Sequence, residues 1–279
     1  MSDDERYTRP PSSESLGQAP GRGRLVTRKV LVVGGGQRVH DAATDPVGNG
    51  RAMSLLFARE GAHVAVADIN VESAQETVDL ITGEGGRAFA IHADTSKPDD
   101  ITRMVDEARE GMKGIDGMVL NVGVGIGELG LQGVTPEHWD RTLAINLRGP
   151  VLCCQAALPR LEDGSSIVLI SSIAGQIAGS RLPAYDASKA ALAGVMRHVA
   201  LEGASRGIRV NIVAPGLVDT PLGRATTGGR PSRARTRTPF GRQATAWEIA
   251  YAALYFISDE SVYVTAQTLA VDSGLTGIS

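Results

Sequence analysis

Lys29-Val30-Leu31-Val32-Val33-Gly34-Gly35-Gly36 is the stretch that decides the fold. Val30–Val33 is apolar and mostly β-branched, so it reads as a buried strand. Three glycines end it, and a helix opens near Gly48-Asn49-Gly50-Arg51. A strand, a glycine turn and a helix N-terminus together make a pyrophosphate site. The glycines allow close backbone approach, and the free N–H groups of the first helical turn face the anion. His63–Asp68 is a second strand, and its terminal acid lies eighteen residues beyond Gly50. An acid there accepts hydrogen bonds from the adenosine ribose hydroxyls and repels a 2′-phosphate.

The same alternation continues to the end of the chain. Helices are expected at Val71–Thr82, Pro98–Gly111, Thr135–Leu161 (continuous, or with a break at Gly149-Pro150), Pro183–Ser205 and Thr245–Ser258. Strands are expected at Arg87–His92, Ile115–Leu120, Ser165–Ile170, Ile208–Val213 and Gln267–Asp272. Seven strands alternating with helices argue a doubly wound parallel sheet covered on both faces. Residues 28–279 then form a single Rossmann-type domain. Residues 1–27 are rich in Pro, Gly, Ser, Asp and Arg and lack periodicity, so they read as a flexible tail, disordered or loosely docked. Residues 221–240 are polar and arginine-rich and read as a loop over the substrate site, or as a solvated excursion.

The chemistry lies between Ser172 and Lys189, in SIAGQIAGSRLPAYDASK. Tyr185 and Lys189 are i and i+4 on one helix, so they share a face. A free tyrosine titrates near about 10, and a nearby cation favours its phenolate. Ser172 follows a strand and adds a hydroxyl. Asn146 stands on an earlier helix.

These residues resemble the classical short-chain dehydrogenase/reductase family, whose pattern is Asn, Ser and Tyr-x-x-x-Lys. The resemblance spans roughly Lys29 to Thr276. It implies a strand order of 3-2-1-4-5-6-7 and a catalytic set of Asn146, Ser172, Tyr185 and Lys189. It also implies cofactor contacts at Gly34, Gly48, Asn49, Gly50, Asp68, Asp94, Thr95, Asn121, Gly123, Tyr185, Lys189, Pro215, Gly216, Val218 and Thr220. In the family the acid at Asp94 binds the adenine amine, although Asp94 or Thr95 could equally cap the next helix. The Asn bends its helix and holds a water that connects the lysine to solvent. The backbone at Val218 holds the nicotinamide amide. The glycine turn departs from the pattern: thirteen residues separate Gly34 from Gly48 where the family has three, and Val33 replaces a threonine.

NAD is favoured over NADP, because no basic residue directly precedes Gly48 or follows Asp68; Arg38 in the insertion counts the other way. The expected substrate is a small secondary alcohol or ketone. The alternatives are an NADP-dependent carbonyl reductase or a catalytically silent dinucleotide-binding protein. The family's common tetramers imply a homo-oligomer.

Composition narrows the classes. The net charge of −3 gives no basic field for nucleic acid. No apolar run reaches membrane-spanning length and no signal-peptide core is visible, so a cytoplasmic protein is expected. The two cysteines, Cys153 and Cys154, are adjacent and read as free thiols packed on a helix. Five dispersed histidines suggest no metal site.

Overall fold

A computed structural model describes residues 9–38, 44–229 and 238–278. Seven parallel strands form one sheet: β1 (Lys29–Val33), β2 (His63–Asp68), β3 (Arg87–His92), β4 (Gly117–Leu120), β5 (Ser166–Ile170), β6 (Arg209–Pro215) and β7 (Thr268–Val271). Their order is β3-β2-β1-β4-β5-β6-β7, as expected.

Alternation along each strand builds two cores. Val30, Val32, Val64, Val66, Val119 and Val168 face α1 (Asn49–Arg59), α2 (Val71–Gly83) and α8 (Ala246–Ile257). Leu31, Val33, Ala65, Ala67, Met118 and Leu169 face α3 (Pro98–Met112), α5 (Gly149–Ala157) and α6 (Pro183–Gly203). Both faces are apolar, so the strands read as continuous hydrophobic runs. Cys153 and Cys154 are free and buried in the second core. Burial pushes both thiols up, Cys154 to about 12, which leaves them unreactive.

Three features differ from the sequence expectation. The first is the long helix before β5. It stays continuous from α4 (Pro136–Leu143) to α5 through a π turn at Ala144–Arg148, where Gly149 N–H bonds Ala144 O. Pro150 lacks the N–H that an α-helix would place on the Asn146 carbonyl. The chain absorbs that loss by widening one turn, not by breaking at Gly149-Pro150.

The second is the N-terminal segment. Residues 1–8 lie outside the described residues, but residues 9–27 run along α1 and α8, where composition suggested a loose tail. Leu25 is fully buried. The backbone N–H groups of Arg22 and Arg24 donate to Glu60 Oε2 at 2.9 and 3.0 Å, and Arg24 pairs with Glu60 Oε1 at 2.7 Å. Burial would raise the Glu60 carboxyl, but those donors outweigh it and hold it below the usual carboxylate range. Ser15 Oγ donates to Glu248, and Thr245 Oγ1 donates to Ser15 O.

The third is the polar stretch after β6. Pro221–Gly229 forms a helix, α7; residues 230–237 lie outside the described residues. Val218–Asp219 pairs with Ala244–Thr245, which draws the two ends of this segment together.

Candidate active site

The carboxyl ends of the strands open onto a cleft of about 640 Å³, within the size range of cofactor sites. Its lining includes Gly34, Gly48, Asn49, Gly50, Asp68, Asp94, Thr95, Asn121, Gly123 and Thr220, ten of the cofactor residues expected from sequence. Pro215, Gly216 and Val218 lie outside that lining, at and just beyond the end of β6.

The glycine turn is built by close approach. Gly34 has φ +80°, in the left-handed region, and its carbonyl accepts from Asn121 Nδ2 at 2.9 Å. A Cβ on Gly50 would stand 1.8 Å from Gly34 O. Gly34 and Gly50 therefore face each other despite the thirteen residues between Gly34 and Gly48. Helix α1 starts with no side-chain cap and no acid in its first turn. Its N–H groups are left for an anion. The described residues fit a dinucleotide phosphate at this turn.

Asp68 ends β2 with its carboxylate at the cleft. Oδ2 accepts from Gly36 N at 3.0 Å, and Oδ1 accepts from Asn70 N at 3.0 Å. A carboxylate has lone pairs to spare for ribose hydroxyls. Asp94 Oδ1 accepts from Ser96 N and Ser96 Oγ at 2.9 and 2.7 Å. Burial would raise this carboxyl; the Ser96 donors and Lys97 outweigh it and lower it.

Lys189, Asn146 and Tyr185 lie close to Gly123 and Gly125 of the loop after β4, and Gly123 lines the cleft. A Cβ on Gly123 would lie 3.1 Å from Lys189 Nζ. Lys189 is buried, and Nζ donates to Ile170 O at 2.9 Å. Burial pushes its ammonium down to about 8. Nζ stands 5.8 Å from the centroid of the Tyr185 ring. Ser172 stands two residues beyond β5 and caps a short turn at Ile173–Gly175, accepting from Ala174 N at 3.2 Å. That turn is pressed onto α6: Ser171 Oγ donates to Lys189 O at 2.9 Å, and a Cβ on Gly175 would meet Lys189 C at 2.7 Å. Strand end and helix are thus locked together at the residues meant to share chemistry.

Asn146 sits inside the π turn and is fully buried. Its Oδ1 accepts from Val124 N at 2.8 Å. Its Nδ2 donates to Val124 O at 2.8 Å and to Ser188 Oγ at 3.1 Å. Both amide hydrogens are therefore committed to holding the loop after β4 and the Tyr185 helix. Ser188 passes the link on by donating to Tyr185 O at 2.7 Å.

Sequence reading missed two residues here. Ser188 sits next to Lys189, and nothing in its spacing separates it from an ordinary helix serine. Gln37 lies in the insertion. Its Oε1 accepts from Gly48 N at 2.8 Å, and its backbone N–H donates to Ser73 Oγ at 2.7 Å. Residues 39–43 of the insertion lie outside the described residues; beyond them Arg224 of α7 donates to Thr44 O at 2.6 Å while pairing with Asp219. Among the described residues no cluster of His, Cys, Asp or Glu could hold a metal ion, and no helix is long and apolar enough to cross a membrane.

A family model described as Enoyl-(Acyl carrier protein) reductase matches residues 43–276. The chain is 32% identical over 264 residues to 2-(S)-hydroxypropyl-CoM dehydrogenase 3 of Xanthobacter autotrophicus, covering 91% of this chain and 99% of that one. Two solved structures are also similar. A putative short-chain dehydrogenase/reductase from Burkholderia xenovorans has a TM-score of 0.82 at 33% identity, over 90% of this chain and 97% of that one. A short chain dehydrogenase from Burkholderia cenocepacia in complex with NADP has a TM-score of 0.81 at 31% identity, over 90% of this chain and 98% of that one. With this sheet, this cleft and these relatives, the chain belongs to the classical short-chain dehydrogenase/reductase family and is an NAD(P)-dependent oxidoreductase.

Proposed function

We propose that this protein interconverts a small secondary alcohol and its ketone with NAD(H), using Tyr185, Lys189, Ser172 and Asn146. The observation that carries this is the buried Lys189 ammonium between the cleft wall and the Tyr185 ring. The bound nicotinamide supplies or takes the hydride. Tyr185 exchanges the proton of the substrate hydroxyl, and Ser172 hydrogen-bonds the same oxygen. Lys189 favours the phenolate and holds the nicotinamide ribose. Asn146 anchors a relay water, while its amide hydrogens are committed to Val124 and Ser188. A secondary alcohol fits the hydroxypropyl group in the name of the Xanthobacter relative.

Asp68 supports NAD, because its carboxylate opposes a 2′-phosphate in the same cleft. A second reading, an NADP-dependent carbonyl reductase, rests on Arg38, which is exposed and lines that cleft too. One assay separates them: NAD and NADP are each mixed with a panel of secondary alcohols, and absorbance of the reduced cofactor is followed. Faster turnover with NAD is expected. A preference for NADP would remove Asp68 from this role, and no turnover with any alcohol or ketone would favour a silent binding protein.

The insertion acts in the same reading as a brake on cofactor release. Its base is closed by Gln37 and its return limb is tied to α7 by Arg224. Differences within related sites fall mostly on dissociation rates. Replacing residues 36–45 by a short turn, or Arg224→Ala alone, is expected to speed NAD release by roughly 3–10-fold, the worth of a hydrogen bond or two. The chemical step in a single turnover should hardly change. Stopped-flow displacement of bound cofactor measures this, and an unaltered release rate in a folded variant would end the idea.

Assembly as a homo-oligomer, with a tetramer favoured, would bury faces of the helices that hold Cys153 and Tyr185, and exposed apolar side chains on them, Val151 of α5 and Leu201 of α6, support it. Sedimentation at micromolar concentration should show a species larger than the monomer; a monomer alone would reject it.

A further inference from the structure

Asn49 is the first residue of α1, between Gly48 and Gly50 of the turn. Helical side chains tilt back toward the N-terminus, so a side chain here leans over the anion end of the helix. Asn49 lines the cleft. Its carboxamide makes no hydrogen bond within the described residues, and Oδ1 is buried without a partner. Its amide nitrogen is therefore an uncommitted donor on a residue that lines the cleft.

The insertion explains why an extra donor belongs at this place. In a short turn the Gly48 N–H would be free to face the anion. Here it is taken: Gln37 Oε1 accepts it at 2.8 Å. The turn has lost one of the donors on which a helix N-terminus relies for anion binding. The residue immediately after Gly48 carries an uncommitted amide.

We propose that Asn49 is a cofactor-positioning residue whose side-chain amide donates to the pyrophosphate of the bound dinucleotide, in place of the Gly48 N–H that Gln37 occupies. The proposal rests on the cofactor reading given above. It assigns the side chain a job that the backbone of the glycine turn does elsewhere. A hydrogen bond to a charged oxygen is stronger than one between neutral groups, so its loss should be visible in affinity.

The test uses the full-length protein and measures dissociation constants for NAD and for ADP-ribose, which carries the pyrophosphate but no nicotinamide. Asn49→Leu keeps the size and removes the donor. It should weaken both ligands by roughly tenfold. Asn49→Asp keeps the oxygens and places a negative charge at the phosphates, so it should weaken both further. The thermal midpoint of the ligand-free Asn49→Leu protein should not fall, because the substitution removes a buried oxygen that has no donor. Unchanged NAD affinity in Asn49→Leu overturns the proposal. So does Asn49→Asp binding as tightly as wild type, which would make the oxygen the working atom. A loss seen with NAD but not with ADP-ribose overturns it as well, by placing the contact on the nicotinamide side. A lower midpoint for ligand-free Asn49→Leu would overturn it by making Asn49 structural. If the wild type binds neither NAD nor NADP, the cofactor reading itself falls, which is a different failure from a wild type that binds and a variant that binds equally well.

Discussion

Tyr185→Phe is expected to lower turnover by about 10²–10⁴-fold, the range for loss of a general acid–base group, with the cofactor still bound. The ring stays in place in this variant. Tyr185 lies in the first turn of α6, where Pro183 starts the helix, and its ring passes near the backbone of Gly125. The residues that line the cofactor cleft, among them Gly48, Gly50 and Asp68, lie on other elements. Removing one hydroxyl should therefore keep the cofactor bound and remove the proton exchange. Steady-state rates with the reduced cofactor followed by absorbance, together with a cofactor titration, separate the two effects. Near-normal turnover with unimpaired binding would sink the assignment of Tyr185.

The parts of this molecule that could be read from sequence are those that leave a local mark. Val30–Val33 and Ile167–Ile170 are apolar, β-branched runs because both faces of their strands are buried. Gly34 and Gly50 are legible because close approach admits no side chain there. The Tyr185–Lys189 spacing is one helical turn. What stayed hidden was held by single contacts between distant residues. The N-terminal segment docks without any hydrophobic period: Gly17 lets Trp247 lie against its backbone, Gly21 packs on the carbonyl of Arg59, and Leu25 alone is a large buried apolar anchor. Glycines in a polar stretch read as flexibility, yet here they permit contact. The π turn was hidden for another reason. Pro150 signals a missing donor but does not say whether the helix will break or widen. Helix α7 begins in a polar stretch whose order depends on packing that periodicity does not report. Gln37 and Ser188 each act through polar contacts to a pair of residues, which leaves no periodic pattern at all.

Lys189→Met is the second large effect expected, and its signature is a pH dependence as well as a lost activity. Turnover should fall by at least about 10²-fold, because the phenolate of Tyr185 loses the cation that favours it. The stability effect follows from burial. The folded-state ammonium is pushed down from 10.5 to about 8, so the unfolded chain holds this proton more tightly than the folded one. Below pH 8 both states carry the proton, and the folded state bears the full cost of a buried cation. Between about pH 8 and 10.5 the folded state releases the proton first, so wild-type stability from this residue rises with pH. Above 10.5 the cost is gone. The span between the two limits is on the order of 3 kcal/mol. Methionine has no proton to release, so its stability lacks this rise. The Met variant also leaves the Ile170 carbonyl without its ammonium donor, but that loss adds nearly the same amount at every pH below 8 and does not create a slope. The measurement is denaturant unfolding of both ligand-free proteins from pH 7 to pH 10.5. Wild type should gain stability relative to Lys189→Met across that window. Parallel curves would show that burial does not lower the Lys189 ammonium in the folded protein, and the pH signature argued here would fall.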